Sequence, residues 1–277
     1  MQDIVCATGA LLSLPDIRDY ELVATAQCDF PEEFELTMPA VKSQGSVGSC
    51  VAHALATVME FYNKKQHHEN IDMSVGYIYG NRENSAHKGQ GMKVRDALKA
   101  ITAGGNVPYT DFPFNEEVPE IIEKFEREKS NLESKALPFR ITSYVRTYNE
   151  EQIKTALYHG YPVIFTMRWY DDIKVKNGTI ITTQDSFKSS HCMVIYGWDQ
   201  NGWKIQNSWG IFWGNAGRAS LPYDIVLFDA YSIIDELVGD IDIKKPFQAK
   251  TAFGKWCVKV INQISAFFYR IKYNIKY

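Results

Sequence analysis

The chain has 277 residues, with 30 Lys or Arg against 33 Asp or Glu and a formal charge of −3, a balance that gives no prompt toward nucleic acid. Its 45 % hydrophobic and 13 % aromatic composition is ordinary for a soluble globular chain of one large domain or two half-domains sharing a cleft. The five cysteines, Cys6, Cys28, Cys50, Cys192 and Cys257, include no close CxxC pair, which argues against a zinc site.

Met1-Gln2-Asp3 opens the chain without a basic stretch ahead of the short apolar run to Leu14, so no signal peptide is expected. Leu14 to Tyr20 reads as an extended surface segment. Phe30-Pro31-Glu32-Glu33-Phe34 then leads into Gln44-Gly45-Ser46-Val47-Gly48-Ser49-Cys50, a loop of small residues that can turn sharply and let a ligand approach. From Cys50 the pattern changes. Val51, Ala54, Leu55, Val58 and Tyr62 recur at helical spacing, which predicts one buried face, and no Pro or Gly interrupts Val51 to Lys65. Ser49 is the expected N-cap. A thiol at that position sits at the positive end of the helix dipole, where the thiolate is favoured. A lone cysteine opening a helix is more often a packing residue, so its chemistry rests on what it meets.

Ser74 to Tyr79 suggests a second short helix. Gly89-Gln90-Gly91 precedes an amphipathic stretch, Val94, Ala97, Leu98 and Ile101, that ends at Gly104-Gly105. Pro119 to Leu132 is a charged helix with Ile121, Ile122 and Phe125 inward, a solvated face without chemistry. From Phe139 the character turns to β structure. Ile141 to Val145 is strand-like, Glu150 to His159 a short helix, Pro162 to Met167 a buried strand and Asn177-Gly178-Thr179 a turn. Ser189-Ser190-His191-Cys192-Met193-Val194 runs on as a strand to Trp198, and Trp203-Lys204-Ile205-Gln206 returns after Asp199-Gln200-Asn201-Gly202, a strong hairpin signal. That hairpin would hold His191 and Asn207 side by side at one end. A thiol, an imidazole and an amide that orients the imidazole make up a nucleophilic site. His53, His67, His68, His87 and His159 have no matching partners and read as surface or core residues.

Residues 244–277 hold eight Lys or Arg and no acid, so the whole-chain −3 leaves −11 for the first 243. Cys257, Val260, Ile261, Ile264, Phe267, Phe268 and Ile271 recur at helical spacing, a basic amphipathic helix too polar to span a bilayer. Three roles compete for it. It docks on the chain's own acidic body; it makes peripheral contact with an anionic membrane or a partner groove; or it is a self-inhibitory or cleavable tail.

The Gln44 to Cys50 block, the later His191, and Asn207-Ser208-Trp209-Gly210 with Trp213-Gly214 and Gly217 together resemble the papain-like cysteine proteases, over about Phe30 to Asp235. The resemblance implies an α+β, two-lobed fold, with a helical first half (about 31–137) and an antiparallel β-rich second half (about 138–243) flanking a cleft. Residues 1–30 are then an extension and 244–277 a tail. It implies thiol-dependent hydrolysis of peptide bonds in polypeptide substrates through a thioester, with no cofactor. Cys50 is matched to the nucleophile, His191 to the base and acid, Asn207 to the residue holding the imidazole, and Gln44 to the oxyanion-stabilising side chain. Trp209 is matched to the indole shielding the His–Asn bond. Gly89, Gln90 and Gly91 are matched to the turn that pairs with extended substrate, and Ser190, beside the histidine, to the pocket wall. The alternatives are an inactive or autoinhibited interaction protein on the same fold, and another acyl transfer by the same thiol. Val47 stands where secreted relatives start a disulfide, which favours a reducing, cytoplasmic-type compartment, although Cys6 and Cys28 could pair. The family's long inhibitory prosegment has no room here. Residues 1–30 are either a short strap in the cleft or, the preferred placement, a strand pinned outside the domain.

Overall fold

The computed structural model describes residues 7–14, 16–17, 19–24, 29–82, 90–115, 118–235, 241–244 and 251–272. Cys6, Cys28 and Gly89 therefore lie outside the described residues. The chain opens with β1 (Ala10–Leu11), β2 (Glu21–Ala24) and β3 (Phe34–Glu35), followed by α1 (Cys50–His67) and α2 (Val75–Gly80). After β4 (Met92–Lys93) come α3 (Val94–Gly104), α4 (Val118–Ala136), β5 (Ser143–Arg146) and α5 (Glu150–Tyr158). The strand-rich remainder is β6 (Val163–Tyr170), β7 (Lys174–Lys176), β8 (Thr179–Ile181), β9 (Phe187–Asp199), β10 (Gly202–Gln206), β11 (Arg218–Leu221), β12 (Tyr231–Ile234) and β13 (Ile241–Lys244), closed by α6 (Ala252–Lys272). The class is α+β, as expected. A small parallel ribbon joins β1 to β4. An eleven-stranded, mostly antiparallel sheet runs β13-β2-β5-β12-β6-β9-β10-β11-β8-β7, with β3 added on β9.

Helix α1 is the axle of the helical half. The sequence predicts one buried face, but Cys50 to Asn63 are buried without interruption. The run is possible because Ala52, Ala54 and Ala56 let neighbours approach on every side, while Leu55 and Val58 fill the gaps. The helix packs against β9, and the Tyr62 hydroxyl donates to the Ile233 carbonyl at 2.5 Å, tying α1 to β12. Ser49 does not cap. Its side chain makes no cap bond and turns instead to His53 Nδ1 at 3.1 Å, so the buried imidazole takes the hydroxyl that the first turn would have used. Helix α2 is capped as a sequence reader would wish, Ser74 Oγ accepting from Tyr77 N–H at 2.9 Å.

The β9–β10 hairpin turns in two residues, Gln200-Asn201, with Asn201 N–H donating to Asp199 Oδ1 at 2.7 Å. Gly202 holds φ +141°, and a Cβ there would stand 2.1 Å from the Leu221 carbonyl oxygen on β11, so only glycine fits. Strand β9 pairs on its other side with β6 over nearly its whole length, which fixes the height of His191 opposite Met167.

A buried ion cluster closes the base of the sheet. Arg146 of β5, 2 % exposed, faces Asp19 at 3.3 Å and Asp229 at 3.6 Å. Asp19 also receives both ends of the Arg95 guanidinium, at 2.9 and 2.5 Å, in a fork geometry. Burial pushes the Asp229 carboxyl up to about 6, against the pull of Arg146.

Candidate functional site

Three elements supply the three residues. The first residue of α1 supplies Cys50, the middle of β9 supplies His191, and the residue after β10 supplies Asn207. His191 Nε2 stands 2.7 Å from Asn207 Oδ1. The same oxygen accepts from the Ser208 backbone N–H at 2.7 Å, which orients the amide with its oxygen toward the ring. Nε2 is therefore the donor, and Nδ1, which has no hydrogen-bond partner among the described residues, is the bare nitrogen of the neutral imidazole. Trp209 stacks on the imidazole at 4.5 Å and 27°, and Trp169 meets it edge-on at 5.3 Å. Between them the two indoles exclude water from the His191–Asn207 bond. Trp169 was not visible in the sequence reading, because only the β6–β9 pairing brings it here.

Gln44 sits on the same floor. Its Oε1 accepts from Ser208 Oγ at 2.6 Å, and its backbone N–H donates to the Ser208 carbonyl at 2.8 Å. That anchorage aims the amide nitrogen outward, where Nε2 donates to the Val47 carbonyl at 2.8 Å and to the Ala7 carbonyl at 3.0 Å. Ser208 is a positioning residue that the sequence reading quoted but gave no role.

The outermost layer of the site is the chain's own N-terminal segment. Residues 7–9 lie over the site, while Glu21–Ala24 of the same extension joins the sheet beside β5 and β13. The Ala7 carbonyl accepts from both Gln44 Nε2 and Trp209 Nε1, the latter at 3.1 Å. Thr8 Oγ1 is hydrogen-bonded to Ser189 Oγ. The Gly9 carbonyl accepts from Met92 N–H at 2.9 Å, and β1 then runs parallel to β4. A Cβ on Gly9 would stand 2.0 Å from the Gly48 carbonyl oxygen, so the strap can pass this close to the loop before Cys50 only as glycine. Farther along, Ser13 N–H donates to the buried Asp229 Oδ2 at 2.8 Å, and Asp19 enters the ion cluster.

Under this cover burial disfavours the charged form of both the thiol and the imidazole. Burial pushes the Cys50 thiol up to about 11, and hydrogen bonds from the backbone of Cys192 and Gly9 offset only part of that. Burial likewise drives His191 down to about 4, with its bond to Asn207 pulling the other way. The helix-dipole argument from sequence favours a thiolate, but complete desolvation outweighs it here.

Of the Gly89-Gln90-Gly91 stretch, Gln90 and Gly91 are among the described residues. Gln90 Oε1 accepts from Gly48 N–H at 2.5 Å, clamping the two walls of the cleft together. Gly91, at φ +103°, spends its own N–H on the Tyr79 hydroxyl and its carbonyl on Arg82. The extended pairing therefore goes through Met92, one residue on. Ser190 is buried in β9 with its backbone paired to Arg168, and it is the neighbouring Ser189 that touches the strap. His53 is a core residue, driven down to about 4 by burial.

Residues 25–225 match the family model described as papain family cysteine protease. An uncharacterized peptidase C1-like protein of Acanthamoeba polyphaga mimivirus is 29 % identical over 231 residues, covering 74 % of each chain. Among solved structures, xylellain, a cysteine protease from Xylella fastidiosa, superposes with a TM-score of 0.72 at 23 % identity, covering 86 % of this chain and 99 % of its own. A procathepsin B from Trypanosoma congolense superposes with a TM-score of 0.65 at 17 % identity, covering 83 % and 87 %. At those identities the likeness to solved structures speaks for the fold.

Proposed function

This chain belongs to the papain family of cysteine proteases, and on that premise we propose that it cleaves peptide bonds through Cys50, His191 and Asn207, by way of a thioester on Cys50. The observation that carries the reading is the 2.7 Å bond from His191 Nε2 to Asn207 Oδ1 beneath Trp209. It leaves Nδ1 as the proton acceptor on the strand whose next residue, Cys192, lies against the Cys50 thiol. His191 takes the thiol proton, the sulfur attacks the carbonyl carbon, and the imidazolium returns the proton to the leaving amine. Water, deprotonated by the same ring, then hydrolyses the thioester. Gln44 Nε2 meets the oxygen on which negative charge develops. Its hold on the Ala7 carbonyl supports this role, because a peptide oxygen already occupies the place where a substrate's would be stabilised.

The same occupancy assigns a second property to residues 7–13. They close the cleft over a neutral thiol, so the enzyme in this conformation is latent, and polypeptide substrates reach Cys50 when the strap lifts. This supports an autoinhibited protease over an inactive scaffold, which has no chemical use for Cys50, His191, Asn207 and Gln44 together.

The test compares the full chain with Cys50→Ala and Gly9→Val on an unfolded protein substrate, and maps iodoacetamide labelling by mass spectrometry. Hydrolysis should vanish in Cys50→Ala with the fold intact. In Gly9→Val, which cannot lie against Gly48, Cys50 should label faster than Cys257. Turnover surviving in Cys50→Ala would sink the assignment, and unchanged Cys50 labelling in Gly9→Val would sink the strap's role.

A further inference from the structure

Helix α6 is seated with its amphipathic faces reversed. At about 100° per residue, Val258, Asn262, Ser265 and Tyr269 share one side of the helix. Val258 is buried and the other three are half-buried. On this side Asn262 Oδ1 accepts from Ile17 N–H and Asn262 Nδ2 donates to Asp16, both at 3.0 Å, while the Tyr269 hydroxyl donates to the Phe228 carbonyl at 3.3 Å. The opposite side carries Trp256, Ile264, Phe267, Phe268 and Ile271, each 51–62 % exposed. The polar side thus grips the protein and the apolar side meets solvent, the reverse of what stabilises a surface helix. A contiguous exposed apolar strip of this kind marks an interaction surface.

The borders of the strip indicate its occupant. By the same geometry Lys259 and Arg270 flank one edge and Lys272 the other. Residues 244–277 hold eight Lys or Arg and no acid, while the first 243 residues carry −11. We propose that this face of α6 is a docking surface for an anionic lipid bilayer, on which the helix lies flat with its apolar residues among the upper acyl chains. Exposed Lys259 would reach along its aliphatic stem to the headgroup phosphates. The opposed charge of the two parts would bring the basic end to a negative surface and turn the acidic body away. A crossing is not implied, since no described helix is long and apolar enough to span a membrane. A second copy fits less well, because it would bring two cation-bordered strips together. Docking leaves the Asn262 contacts with Asp16 and Ile17 in place, since they lie on the other side of the helix.

The full chain would be floated with vesicles of phosphatidylcholine alone and of phosphatidylcholine with about a third phosphatidylserine. It should rise with the anionic vesicles only, and raising salt from ~0.05 to ~0.5 M should lower binding at least about tenfold. Phe267→Asp with Phe268→Asp should abolish flotation while leaving the far-ultraviolet spectrum and Cys50 labelling unchanged. Lys259→Glu should weaken it about tenfold or more without touching the apolar strip. Equal binding to neutral vesicles, or binding to neither, would overturn the proposal. So would self-association in sedimentation that the Phe267 and Phe268 substitutions disperse, which would assign the face to a second copy.

Discussion

Gln44 uses both ends of one side-chain amide: Ser208 holds the oxygen, and this frees the nitrogen to meet a peptide carbonyl. Gln44→Ala in a strap-lifted background should therefore lower kcat by about 10²- to 10³-fold, the cost of one oxyanion donor, with little change in KM. Steady-state kinetics on a short peptide decide it; a change confined to KM would mean that Gln44 only binds substrate. The two buried imidazoles make a separate prediction about pH. His191 and His53 are each lowered to about 4 from an ordinary value near 6.5, so their neutral burial supports the fold above about 6.5 and is lost as pH falls toward 4. Asp229, raised to about 6, and Glu60, also raised by burial, act in the opposite direction, so the slope reads the two rings net of these carboxyls. Thermal unfolding should move to lower temperature as pH drops from 6.5 to 4, and His53→Gln should shallow that slope. A flat profile would show that the rings are not buried neutral in solution.

At the scale of elements, the strap and α1 meet where Gly9 crosses Gly48. Two backbones that pass within the radius of a methyl group can be separated by one substitution, so a side chain at position 9 should act as a wedge. Gly9→Val should raise the rate of Cys50 alkylation by an order of magnitude or more, while Gly104→Ala, at the end of α3 where no atom stands within 4 Å, should leave it unchanged. Helix α1 would be hard to mistake in the sequence, because nothing between Val51 and Lys65 breaks it. The missing Ser49 cap was not foreseeable from sequence, because the competing partner, His53, comes within reach of the hydroxyl only when both are buried together. The amphipathic pattern of α6 was equally plain in sequence. Its orientation was not, since periodicity reports two faces and does not say which one meets the protein.

For the whole molecule, the Arg146 cluster is where the N-terminal segment, the sheet and α3 are joined. Arg146→Met would leave Asp19 and Asp229 buried with one cation, Arg95, and should cost about 3–5 kcal/mol in urea unfolding. Adding Asp229→Asn should recover part of that loss, because an amide does not need the missing charge. A loss well under 1 kcal/mol would show that water enters the cluster.

The sequence alone determined the family. Cys50, His191 and Asn207 are legible because a cysteine at a helix start and a histidine and an asparagine at one end of a hairpin are local patterns, and Gln44 and Trp209 are legible because their blocks resemble the papain-like proteases. Local patterns survive folding: helix and strand periods are set within a few residues, and the Asp199–Gly202 turn fixes what stands beside what. Only the tertiary structure decided what lies over that chemistry. Ala7 and Gln44 are 37 residues apart, and Thr8 and Ser189 are 181 apart. No local period can report a contact across such a distance. The burial of Cys50, the strap's hold on Gln44 and Trp209 and the outward apolar face of α6 all follow from long-range packing, which depends on how every other element is placed.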